Sequence, residues 1–163
     1  MNRPAAQLHR LAIALALVAG LGSGLAQAQD APRFSNVVEG NPLDFSGLRE
    51  TETDAVRKFK ANGRNPYNAD KVAIEHGESL FSTACSGCHG HNAEGKLGPG
   101  LADDYWTYNA NKNDVGLFSS IFGGLQGQMG PQRGRLTQDE ILQVMAWVRS
   151  IYTGDPKKAD WLK

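Results

Sequence analysis

The sequence predicts an all-α fold, and three observations carry that prediction. Apolar residues recur at i, i+3 and i+4 over residues 70–84. They recur again over residues 137–152, behind a T-x-x-E start formed by Thr137 and Glu140. Nowhere do strand-like and helix-like stretches alternate, as a parallel α/β domain would require.

Taken in order, the first 28 residues read as an export leader. Arg3, His9 and Arg10 give a charged start, residues 11–25 an apolar run, and Ala26-Gln27-Ala28 a small-x-small cleavage site. The run is shorter than the roughly 18–20 apolar residues of a spanning helix. The mature chain is therefore expected in the periplasm, without a membrane span and as a monomer. The full sequence has 17 basic and 17 acidic residues; losing Arg3 and Arg10 leaves 15 − 17 = −2. That balance gives no basic footprint for nucleic acid.

Residues 29–67 form an irregular N-terminal extension, punctuated by Pro32, Gly40, Pro42, Gly47, Gly63 and Pro66. A short helix is expected over residues 52–60, with Val56 and Phe59 on one side, and the charged residues from Arg49 to Lys60 on a solvated surface. The main domain is expected to span residues 68–154. In its first helix Gly77 lies on the apolar face, at a cost of about 1 kcal/mol relative to Ala. A closely crossing helix would explain it. His76 beside it reads as a partly exposed helix residue.

That helix leads straight into Cys85-Ser86-Gly87-Cys88-His89. Two thiols two residues apart, with a histidine directly after, suit covalent haem attachment: each sulfur adds to one vinyl group, and the imidazole can ligate the iron. A dithiol redox motif and a zinc half-site are the competing readings. No second cysteine pair exists to complete a zinc site. A dithiol enzyme would set its motif in a strand-to-helix unit, which this chain lacks. One covalent haem c is the cofactor expected.

The glycine-rich loop of residues 90–101 follows, and ligating histidines nearly always donate their other N–H to a carbonyl or carboxylate. The Pro99 carbonyl is the first-choice acceptor. Residues 103–108 read as a short aromatic-rich helix or turn. Trp106 or Tyr108 either packs in the core or donates to a haem propionate, and the sequence leaves both open. Residues 117–122 predict a short amphipathic helix stopped by Gly123-Gly124. For the second axial ligand, Met145 is explained by the apolar face of the last helix, and His91 lies too close to His89. Met129, between glycines and before Pro131, suits a loop presenting sulfur to the iron. Residues 155–163 form a charged C-terminal tail.

These features resemble a class I cytochrome c. In that family the first and last helices cross at a glycine, and histidine and methionine are the axial ligands. By resemblance those roles fall to Gly77, His89 and Met129, with the Pro99 carbonyl accepting from the histidine. The blocks Asn65-Pro66-Tyr67-Asn68, CSGCHGHNAEGKLGPGL, DDYWTY, Gly116-Leu117-Phe118, IFGGLQGQMGPQ and LTQDEILQVMAWVRSIYTG resemble the cytochrome c-L branch over residues 63–154. The resemblance implies an electron-transfer protein rather than an enzyme. Its donor would be a PQQ-dependent alcohol dehydrogenase, chiefly methanol dehydrogenase, and its acceptor another cytochrome c or an oxidase. Near-neutral charge departs from the acidic branch members that serve the calcium-type dehydrogenase, and leans towards a lanthanide-type or ethanol-oxidising partner. Two alternatives stay in view: a haem enzyme or sensor with a labile sixth ligand, and a cytochrome subunit of an oxidase complex.

Overall fold

The computed structural model describes residues 31–162. The expected leader therefore lies outside the described residues. Five helices are described: α1 (Asp54–Asn62), α2 (Lys71–Ala84), the single turn α3 (Ser86–His89), α4 (Asp114–Gly123) and α5 (Gln138–Ser150). Short 3-10 turns occupy Asn109–Lys112, Pro156–Lys158 and Asp160–Leu162.

Helix boundaries follow their caps. The Thr53 hydroxyl accepts from Val56 N–H and starts α1 two residues later than expected; Gly63, at φ 72°, stops it. Asp70 accepts from Val72 and Ala73 N–H at the head of α2. Thr137 and Glu140 form both halves of the capping box on α5.

The α2–α5 crossing positions the site. A Cβ on Gly77 would drive into the Gln143 carbonyl, so only glycine lets the two backbones approach this closely. Below it, the Phe81 and Trp147 rings lie 4.3 Å apart. Met145 is fully buried in α5, and His76 is exposed, paired with Gln143.

Three expectations need correction. Helix α4 is longer than residues 117–122 and is not amphipathic: Asn113 caps it three residues earlier, and residues 116–122 are all buried. The apolar face packs on the extension, whose Phe34 and Phe45 rings meet Phe118 and Phe122 at 4.9–6.4 Å. The face expected in solvent is buried too, the Ser120 hydroxyl donating to Asn111 Oδ1 at 2.7 Å and that of Ser119 to the Val115 carbonyl at 2.7 Å. Residues 103–108 are bends with no helix; the turn forms after them, at Asn109–Lys112. Glu50 is not simply solvated, because its carboxylate accepts from Gln138 N–H at 2.8 Å and Gln138 Nε2 at 2.6 Å, a second cap on α5.

Residues from Phe34 to Ile151 share one hydrophobic core, including Val56 and Phe59 of α1. Each large side chain removed from water there contributes roughly 1.5–3 kcal/mol.

Candidate haem-binding site

Helix α2 ends at Ala84, and after Cys85, at φ −123°, the single turn α3 takes up the chain. Cys85 N–H still bonds to Phe81 O at 2.8 Å, and His89 N–H to Cys85 O at 3.0 Å. These bonds bridge the break at Cys85, so α2 and α3 together position Cys85, Cys88 and His89. Cys85 is half-buried and Cys88 exposed, both as free thiols. Burial, and then the neighbouring Cys88, push the Cys85 thiol up to about 11. Dithiol redox centres need the opposite shift, because the thiolate is the reactive form.

The His89 side chain is buried at 9% exposure. Its Nδ1 lies 2.9 Å from the Pro99 carbonyl. A carbonyl only accepts, so Nδ1 carries the proton and Nε2 is left as the basic nitrogen of the ring. Gly98 makes this contact possible: a Cβ there would sit 2.7 Å from His89 Cε1. The loop closes on the motif through Gly95 N–H to His89 O at 2.7 Å and Gly98 N–H to Cys88 O at 2.8 Å.

Met129 is half-buried in the loop between α4 and α5. Its carbonyl accepts from Leu125 N–H at 2.9 Å. Gly124, at φ 74°, turns the chain where a side chain would strike Pro131 N at 2.6 Å.

All seven residues singled out from the sequence, Cys85, Cys88, His89, Pro99, Trp106, Tyr108 and Met129, line one cavity of about 560 Å³. Leu101, Leu117, Ile121, Val144 and Val148 give it apolar walls. Two thiols, an imidazole whose Nδ1 is engaged, and a thioether around an apolar cavity are a donor set that fits haem. A metal-only centre fits less well, since the described residues contain no group of three or more His, Cys, Asp or Glu that could hold an ion.

Several residues of this site carry no sequence signal. Leu97 and Tyr105 line the cavity yet remain 78% and 67% exposed, so they form its open rim. Behind Trp106, Arg149 is buried, with its guanidinium 5.2 Å from that ring and 3.8 Å from Trp161. Its Nε donates to Asp114 at 3.2 Å and its Nη2 to the Asn111 carbonyl at 2.9 Å. Burial lowers Arg149 to about 10, with Asp114 opposing the shift, so it stays cationic at neutral pH.

The chain is 51% identical to cytochrome c-L of Methylorubrum extorquens, over 95% of this chain and 84% of that protein. It belongs to the cytochrome c-L family. The crystal structure of cytochrome cL from Methylophaga aminisulfidivorans matches with a TM-score of 0.79 and 59% identity, covering 81% of this chain and 89% of that one. That of Hyphomicrobium denitrificans gives 0.76 and 45%, covering 82% and 81%. Residues 72–148 also match the family model described as cytochrome C oxidase, cbb3-type, subunit III. The cbb3-type oxidase subunit CcoP of Rubrivivax gelatinosus is 28% identical over 85% of this chain, which spans 44% of that subunit. As a cytochrome c-L this is a haem-binding, all-α electron-transfer protein of the class I type and not an enzyme. Among the described residues, no helix is long and apolar enough to cross a membrane.

Proposed function

We propose that this cytochrome c-L carries one covalently attached haem c in the periplasm. It takes single electrons from a PQQ-dependent alcohol dehydrogenase, methanol being the first substrate to test, and passes them to another cytochrome c or an oxidase. The observation that supports this most directly is the convergence of Cys85, Cys88, His89 and Met129 on one apolar cavity.

In this reading Cys85 and Cys88 would hold the porphyrin as thioethers, and His89 Nε2 and Met129 Sδ would ligate its iron. A haem held there would supply one-electron chemistry, its iron shuttling between ferric and ferrous states. Pro99 fixes the imidazole plane through Nδ1–H. Trp106 and Tyr108 offer N–H and O–H donors to a propionate. The apolar walls keep water away, and the thioether ligand favours a higher potential than a second histidine would. Leu97 and Tyr105 on the exposed rim give a partner an apolar place to dock. A mature charge near −2 predicts only shallow loss of electron-transfer rate as salt rises.

Met129→Ala tests the ligand assignment. It should leave the covalent haem in place, abolish the iron–sulfur charge-transfer band of the oxidised protein and lower the potential; an unchanged spectrum and potential would show the assignment wrong. The donor is tested by mixing the oxidised protein with purified quinoprotein dehydrogenases and their alcohols and following haem reduction. No reduction by any of them would remove that partner. The matches to cbb3-type oxidase subunits favour a second reading, a subunit of an oxidase complex. Isolation as a free monomer separates the two.

A further inference from the structure

The loop that carries Met129 is gripped at both ends by the N-terminal extension. It leaves α4 at Gly123 and reaches α5 after a turn at Arg133. At the first end, a Cβ on Gly123 would sit 2.9 Å from Leu43 Cδ2, so the leucine side chain seats directly on the loop's point of departure. At the second end, one guanidinium reaches three acceptors. Arg133 Nε donates to the Asp44 carbonyl at 2.8 Å, and Nη2 donates to the Asp44 carboxylate at 3.2 Å and to the Ser46 carbonyl. Two of those acceptors are backbone carbonyls, so the Arg133 side chain is tied to the extension's backbone as well as to the Asp44 carboxylate.

The gripping segment is itself anchored. Phe45, between Asp44 and Ser46, lies 4.9 Å from Phe122 and 6.4 Å from Phe118, with Lys60 Nζ 4.4 Å from its ring centroid. Asp44 Oδ1 accepts from Ser46 N–H at 2.8 Å, which holds the turn in shape. The loop also returns towards its origin, because Gln132 N–H bonds to Ile121 O at 3.0 Å and Arg133 N–H to Phe122 O at 3.2 Å. Residues 123 and 133 are thus neighbours in space, and residues 43–46 bridge them from outside.

We infer that residues 43–46 act as a brace that positions Met129, with Arg133 and Leu43 as positioning residues. The inference rests on the axial-ligand reading above. A thioether is a weak, neutral ligand, so its bond depends on a loop that cannot drift away. Fixing both ends of the loop lowers the population in which sulfur has left the iron.

Cyanide binding to the ferric holoprotein measures that population, since cyanide enters only when the sulfur has left. Arg133→Ala and Leu43→Ala should each raise the binding rate by roughly three- to tenfold, the effect of losing a few partly exposed contacts. Arg133→Lys, whose single ammonium cannot span all three acceptors, should fall between Arg133→Ala and the unaltered protein. Glu50→Gln is the control: it weakens an extension contact to Gln138 at the head of α5 without touching Arg133 or Leu43, and should lower the melting temperature without changing the cyanide rate. In a Met129→Ala background, Arg133→Ala should have no effect on that rate. Native-rate binding in Arg133→Ala overturns the brace, and so does an equal acceleration in Glu50→Gln. An unaltered protein that lacks the iron–sulfur band overturns the ligand assignment and the brace together. A normal band with unresponsive cyanide kinetics overturns the brace alone.

Discussion

At Gly98 the absence of one carbon decides how the proximal histidine is held. The His89 ring is packed against this glycine, with Cε1 and Nδ1 within 2.9 Å of where a Cβ would be. Gly98→Ala must push the ring or the loop, and the bond from Nδ1–H to the Pro99 carbonyl lies on the same side. Loss of that bond makes the imidazole a weaker donor to the iron. The potential of Gly98→Ala should therefore rise, the opposite sign to Met129→Ala, in a direct electrochemical titration. A fall in potential would mean the ring is held by something other than Pro99. Gly77 shows the same economy at the helix crossing. Alanine there gains about 1 kcal/mol of helix propensity. It meets the Gln143 backbone, which no rotamer change can move, so the roughly 1–3 kcal/mol of overpacking outweighs the gain.

Helices α2 and α5 were legible because their periodicity, their caps and Gly77 are all local features of the chain. The cavity residues were legible for a similar reason: the cysteines and histidine lie in one short motif, and Met129 stands out by its glycine neighbours. Helix α4 was not. Phe34 and Phe45, some 70–85 residues away in sequence, pack on Phe118 and Phe122, and Ser119 and Ser120 are buried as well, so no window around residues 117–122 could reveal its burial on every side. A separation of 35 residues hid the Asp114–Arg149 pair as well, whose side chains are 4% and 1% exposed. Asp114 also accepts from Asn65 N–H and Asn68 Nδ2, both at 2.9 Å, which ties the entry to α2 onto the start of α4 and the end of α5. Removing one partner of such a pair strands a buried charge. Asp114→Ala should cost roughly 3–5 kcal/mol in urea unfolding at neutral pH. A loss below about 1 kcal/mol, the range of exposed pairs, would contradict the burial described here.

On the scale of the whole molecule, both ends of the described chain fold back to brace the cavity. The C-terminal residues bind the loop that supplies Leu101, Tyr105, Trp106, Thr107 and Tyr108 to its wall. Thr153 N–H and Oγ1 both donate to the Ala102 carbonyl, at 2.7 and 3.0 Å. The Asp104 carboxylate accepts from Asp155 N–H at 3.0 Å, Lys158 Nζ at 2.8 Å and the Tyr152 hydroxyl. Trp161 then covers Arg149 and meets Tyr152 edge-on at 4.9 Å. Lys158, and then Tyr152, hold Asp104 at about 2. A carboxylate held below its usual value near 3.9 contributes stability that is complete above that value and disappears as pH falls towards 2. Tyr152 is raised to about 12 by the same carboxylate, so its share is complete below about 10 and is lost only as pH rises through 12. Between those limits the latch stays shut. Acidification from pH 5 to pH 2 should open the C-terminal segment before the helices melt. Hydrogen exchange at the Asp155 amide would then accelerate in that window while amides of α5 stay protected. Asp104→Asn, which removes the titrating group, should exchange fast at Asp155 already at neutral pH and show no step between pH 4 and 2. If Asp155 and α5 lose protection together, the segment is not a separate latch but part of the same cooperative unit as the α2–α5 core.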